Sequence, residues 1–182
     1  MKSILSLFNT HIKSKPMLFI GLKFLFWFLI CKNVIQFLLN TFPNVLNDYL
    51  FIVSKISVSV LNSGLGLAYE MYPLKSGVGI WSNEYLSVVI NETCGGVPIY
   101  TLFLTLVIAF IPNIYRIIWG SLLGISLLLI ANNVRIIGII LVKELSPVYF
   151  KFAHEILFVY LMYGLMIWIW YKLFSFKKKS SN

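Results

Sequence analysis

The sequence predicts an all-α integral membrane protein: a four-span transmembrane helical bundle with a small outer-face segment made of an amphipathic helix and short strands. Three observations lead there. The 182 residues are 59% hydrophobic and only 12% charged, where an ordinary soluble domain has about 45–50% and about 25%. The apolar excess is gathered into runs, as in segments that exchange water for hydrocarbon. The basic residues behind the formal net charge of +9 flank those runs and form no stripe across a soluble face. The charge therefore points to membrane lipid as a partner and away from nucleic acid.

The first run covers about 17–39 and is interrupted by Lys23 and Lys32, whose stems are long enough to snorkel toward opposite interfaces. Lys2, His11, Lys13 and Lys15 precede it, and "CKNVIQFLLNTFP" offers no small-x-small cleavage pattern. A retained first span is expected, not a cleaved signal peptide. Cys31 lies inside this run and reads as a small buried hydrophobe. With Cys94 it makes two cysteines in all, too few for a disulfide framework.

Residues of about 40–93 are expected to form the outer-face segment. Leu46, Tyr49, Val53, Ile56 and Val60 recur at the spacing of an amphipathic helix. The stretch "VSKISVSV" also alternates like a strand. "LGLAYEMYPL" and "GVGIWSNEYLSVVIN" read as short strands with a turn at 73–77.

The remaining spans are expected at about 95–112, 116–141 and 152–173. The second stops at Pro112. The third holds eighteen uncharged residues between Arg116 and Arg135, and the fourth is "ILFVYLMYGLMIWIWY". Tyr115, Trp119, Trp168, Trp170 and Tyr171 suit the aromatic belt of a membrane interface. Gly120, Gly124, Gly138 and Gly164 are expected to permit close helix packing. Orientation follows from the basic residues. With both termini cytoplasmic, nine of the fifteen lie inside, including the terminal "KKK".

Three polar residues stand at span ends. Cys94 lies eighteen residues before Pro112, Arg135 nineteen after Arg116, and His154 eighteen before Lys172. At the helical rise each is about 27–28 Å from the inner edge, so all three arrive at the outer interface. Singly they have plain readings: a small residue, a topology anchor and a helix cap. Jointly they form a thiol, an imidazole and a cation at one depth, the set that generates and uses a thiolate. Arg135 moreover sits on the side where positive charge is disfavoured. Gly95 and Gly96 are expected to leave helix N-terminal amides free as oxyanion donors. Asn132, one turn before Arg135, either orients the guanidinium or bonds across helices. Glu92 either pairs with Arg135 or His154 or lies on a solvated face. Two histidines, with no HExxH and no CxxC, lead to no expected metal site or cofactor.

"ETCGG" opening one span, "NNVR" near the end of the next and the histidine opening the following one resemble the exosortase/archaeosortase family. The resemblance covers roughly 85–175 and is that of a compact variant. It implies a membrane cysteine transpeptidase or peptidase, with Cys94 as nucleophile and Arg135 and His154 as catalytic partners. Glu92 and Asn132 are motif neighbours. It implies substrates that are exported proteins ending in a short motif, a transmembrane helix and a basic tail. Processing is expected at the outer face of the cytoplasmic membrane. The other class of function open to this sequence is a non-enzymatic membrane scaffold or assembly factor for envelope export, in which the three residues only join helices. A transporter subunit fits less well, because the polar residues cluster at one face and none lines a midplane.

Overall fold

Prolines set most of the helix boundaries. The computed structural model describes residues 16–74, 77–82 and 85–175. Helix α1 (Pro16–Thr41) stops where Pro43 drives Phe42 out of the helical region, at φ −125°. Helix α2 follows at Pro43–Ser59 and finishes in a π-helical turn, Val60–Gly64. Three strands come next: β1 (Tyr69–Leu74), β2 (Gly77–Ser82) and β3 (Tyr85–Ile90). Helix α3 (Val97–Phe110) ends before Pro112. Helix α4 (Ile114–Leu145) is capped by Asn113, whose side chain accepts from the N–H groups of Tyr115 and Arg116. The last helix, α5, covers 150–175. It consists of Phe150–Phe152, a π-helical turn at Ala153–Leu157, and Phe158–Ser175.

Four helices among the described residues are long and apolar enough to cross a membrane: Met17–Thr41, Pro43–Gly64, Ile114–Leu145 and Pro147–Leu173. Three of them overlap expected spans. The expected span at 95–112 is instead a helix of 14 residues, about 21 Å long against roughly 30 Å of hydrocarbon. It is short because Gly95 and Gly96 belong to a turn and the helix ends at Phe110, before Ile111 and Pro112. The fourth long apolar helix is α2, where the sequence suggests an amphipathic helix. The terminal basic residues used for orientation lie outside the described residues.

The buried side chains form two cores. We call the first the head: Leu50, Val53, Val58 and Leu61 of α2, Tyr69, Val78, Ile80, Val88 and Ile90 of the sheet, Cys94, and Ile136, Ile139 and Ile140 of α4. The second is the stem: Ile99, Phe103 and Val107 of α3, Ile111, Leu128 of α4, and Met162, Met166 and Ile169 of α5. Helix α4 belongs to both, because its 32 residues run about 48 Å. Helix α1 packs along α3 and leaves Leu18, Phe26, Val34 and Phe37 exposed, an apolar surface suited to lipid.

The sheet is an antiparallel meander in the order β1-β2-β3, with Leu74 opposite Gly77 and a register shift at Ile80/Trp81. The sequence suggests two strands here; the second divides into β2 and β3. Of the expected turn, Lys75 and Ser76 lie outside the described residues. Strand β3 is tied to α4, where the Lys143 ammonium donates to the Leu86 and Ser87 carbonyls and the Ser87 hydroxyl donates to Glu144.

Helix α2 resolves the ambiguity of "VSKISVSV" in favour of a helix, and Leu46, Tyr49 and Val53 of the expected stripe pack into the head while its last two members do not. Ile56 and Val60 are exposed, while Ser54 and Ser57 are fully buried. The Ser57 hydroxyl meets Asn133 of α4 at 3.2 Å, so a polar contact between elements outweighs the apolar stripe.

Candidate functional site

The three residues singled out by depth converge where head and stem meet. Cys94 lies in the turn joining β3 to α3, Arg135 in the middle of the head half of α4, and His154 in the π-helical turn of α5. The Cys94 Sγ is 3.5 Å from His154 Nε2. The Arg135 Nη1 donates to Asn132 Oδ1 at 3.3 Å, and Asn132 Nδ2 donates to the Cys94 carbonyl at 3.1 Å. Arg135 is thus coupled to the Cys94 peptide through one buried amide. Of the two readings open for Asn132, the structure supports both together: it orients the guanidinium and it bonds across elements.

The turn itself is built by Asn91. Its side-chain oxygen accepts from the Cys94 N–H at 3.0 Å and its carbonyl accepts from the Gly95 N–H at 2.7 Å. Such an Asn-initiated turn fixes the backbone three and four residues on. Tyr49 of α2 closes it from the far side, donating its hydroxyl to the Gly95 carbonyl and lying 3.2 Å from the Tyr100 hydroxyl.

Gly95 and Gly96 do not serve as expected. Their N–H groups donate to the Asn91 and Thr93 carbonyls, and Val97 N–H donates to Glu92 O. Pro98 has no N–H to offer, so the start of α3 presents no free amide of the expected kind. The glycines are there for space and conformation. A Cβ on Gly95 would lie 2.6 Å from Leu50 Cδ2 of α2. Gly96 has φ +88°, a left-handed conformation open to glycine at little cost. With those amides engaged, Arg135 is the remaining donor for negative charge. Its side chain is 8% exposed, and its Nε has no partner among the described residues.

Glu92 is exposed and pairs with neither Arg135 nor His154 among the described residues; its contribution is the carbonyl that receives Val97 N–H. No group of three or more His, Cys, Asp and Glu side chains suited to a metal ion occurs among the described residues. Cys31 is buried and far along the chain from the turn.

Sequence reasoning passed over Asn91 and Phe150 and took Tyr49 only as part of an apolar stripe. Phe150 stacks on the His154 ring with centroids 5.7 Å apart and an interplanar angle of 19°, and Lys143 lies over its ring at 5.4 Å. Spacing of i, i+4 at the start of a helix is the signal that points to Phe150 and His154. The π-helical turn adds a second reason to look there. Such turns are rare and shift the helix face by one residue, often at functional positions. No signal in the sequence pairs Tyr49 with Gly95, which are 46 positions apart.

The arrangement places a thiol against an imidazole in a half-buried seam, with a braced guanidinium beside it. That set can exchange a proton between sulfur and nitrogen and hold a developing negative charge. No family model, curated protein or solved structure matches this chain.

Proposed function

We propose that the protein is a membrane-embedded cysteine transpeptidase or peptidase that processes C-terminal sorting signals of exported proteins. One observation carries the reading: Cys94 Sγ stands 3.5 Å from His154 Nε2. The resemblance of "ETCGG", "NNVR" and the following histidine to exosortases and archaeosortases supports it.

Cys94 gives its proton to His154 and its sulfur attacks the substrate carbonyl. A carbon–sulfur bond forms and the carbonyl electron pair moves onto oxygen. Arg135 holds that oxyanion, positioned by Asn132. The intermediate collapses, the carbon–nitrogen bond breaks, and His154 protonates the leaving amine. A thioester remains on Cys94. An incoming amine or water then attacks it and yields its proton through His154. The carbon–sulfur bond breaks, and the proton returns to sulfur. An embedded site suits a substrate whose own helix is in the membrane, with the active site at the outer face of the cytoplasmic membrane and both termini inside.

The test is Cys94→Ala, read by mass shift of exported proteins that end in a short motif, an apolar helix and a basic tail. Processing is expected to cease while the variant still inserts. Processing at the wild-type rate would remove Cys94 from the chemistry.

A further inference from the structure

A cavity of about 140 Å³ lies beside the seam, between α3, α4 and α5. Its walls are Ile99, Val159 and Met162, with Arg135 as the single charged side chain. Pro98 and Tyr163, both exposed, stand at its mouth. Thr93 and Gly96, which bracket the Cys94–Gly95 peptide, complete the lining.

We infer that this cavity is the acyl-side specificity pocket. It receives the side chain of the substrate residue whose carbonyl Cys94 attacks, and it selects an uncharged apolar one. The inference rests on the reading of Cys94 as nucleophile and goes beyond it by naming what is bound. Two independent features carry it. The walls are apolar, and an apolar cavity of roughly 150 Å³ holds one benzene-sized group. That volume suits a leucine or phenylalanine side chain and is ill suited to an indole. The second feature is the Arg135 Nε, buried and without a partner among the described residues. A buried donor left unpaired is costly, and a peptide carbonyl entering beside the cavity supplies the missing acceptor. An apolar group carrying one acceptor oxygen is an aminoacyl unit. A carboxylate side chain would satisfy the arginine but would place its second oxygen against Ile99 and Val159.

The experiment uses the full chain in detergent with peptidyl vinyl sulfones that differ only at the residue next to the reactive group: Gly, Leu, Phe, Glu or Lys. Adducts at Cys94 are followed by intact mass, with iodoacetamide as a probe that needs no pocket. The Leu and Phe reagents are expected to label about tenfold or more faster than the other three, as one filled apolar pocket permits. Val159→Trp fills the cavity and is expected to erase that advantage, bringing the Leu and Phe rates down to that of the Gly reagent. Val159→Ala enlarges it and is expected to favour Phe over Leu. Equal rates across the five reagents overturn the inference, as does preference for Glu or a Leu advantage that survives Val159→Trp. If iodoacetamide reacts rapidly at neutral pH while the peptidyl reagents are not distinguished, the pocket alone is rejected. If iodoacetamide reacts only near the ordinary thiol pKa of about 8.5 and no peptidyl reagent labels, the nucleophile and the pocket fall together.

Discussion

The stem and the head are held together by different means. In the stem, the buried Thr101 and Thr105 hydroxyls donate to carbonyls one turn back in their own helix, at 2.9 and 2.8 Å. Its helices meet by shape: the Phe103 ring lies where any side chain on Gly124 would stand, 2.1 Å from the position of a Cβ. Only the Trp170 indole, donating to the Leu106 carbonyl at 3.3 Å, bonds between stem helices among the described residues. In the head, polar bonds join separate elements. Ser57 of α2 meets Asn133 of α4, Asn62 meets Tyr69 of β1, and Ser87 of β3 meets Glu144 of α4. Stem helices therefore satisfy most of their polar groups internally, a pattern that suits hydrocarbon. Head elements add side-chain bonds to one another. The thiol, imidazole and guanidinium sit on the boundary, where apolar walls come from one side and polar bracing from the other.

The sharpest way to break this contrast is to remove the shape on which the stem depends. Phe103 is fully buried. Phe103→Ala is expected to lower stability by about 3–5 kcal/mol, the range for deleting a buried phenyl ring. Thermal unfolding in detergent measures it. A loss under about 1 kcal/mol would mean that the stem can collapse around the gap, and that ring-into-glycine packing does not hold it.

At the boundary the expected effect is smaller and has a second readout. Asn132 is fully buried and carries the bonds to both the Cys94 carbonyl and the Arg135 guanidinium. Asn132→Leu keeps the volume but strands both partners, at about 2–3 kcal/mol. Alkylation of Cys94 is expected to slow as well, because the turn loses its brace. Phe103→Ala, well inside the stem, is expected to leave that rate unchanged at temperatures where it remains folded. If both variants slow the thiol equally, the boundary is no separate unit.

How much of this could be read from the sequence divides along the same line. Counting residues from span ends grouped Cys94, Arg135 and His154, and the structure brings the first and last within 3.5 Å, although Cys94 lies in a turn and not on the helix that the count assumed. Three of the four long apolar helices follow from composition alone. What composition hides is packing between elements distant in the chain. The small residue at Gly95 answers to Leu50 of α2, 45 positions earlier, and a glycine that reads as the start of a span belongs to a turn. The inward serines of α2 are equally hidden, because their partner lies on α4. The apolar stripe at Ile56 and Val60 follows a sound rule that a polar contact overrides.

Those serines give the finest test. Both are fully buried, both are on α2, and both lose one oxygen on mutation to alanine. The single Ser57 hydroxyl proton has two acceptors in reach, Val53 O at 3.1 Å and Asn133 Oδ1 at 3.2 Å. The Ser54 hydroxyl has no partner among the described residues. Alanine raises helix propensity by a few tenths of a kcal/mol at either site, so that gain cancels in the comparison. Ser57→Ala is expected to cost about 1 kcal/mol, the net worth of a bond whose acceptor is left unpaired. Ser54→Ala removes an unpaired buried hydroxyl and is expected to be neutral or to stabilise by up to about 1 kcal/mol. The difference between the two, by denaturant titration in one detergent, separates the bonding of the Ser57 hydroxyl from burial and propensity. Equal stabilities for the two variants would show that head elements, like stem helices, are held by shape alone.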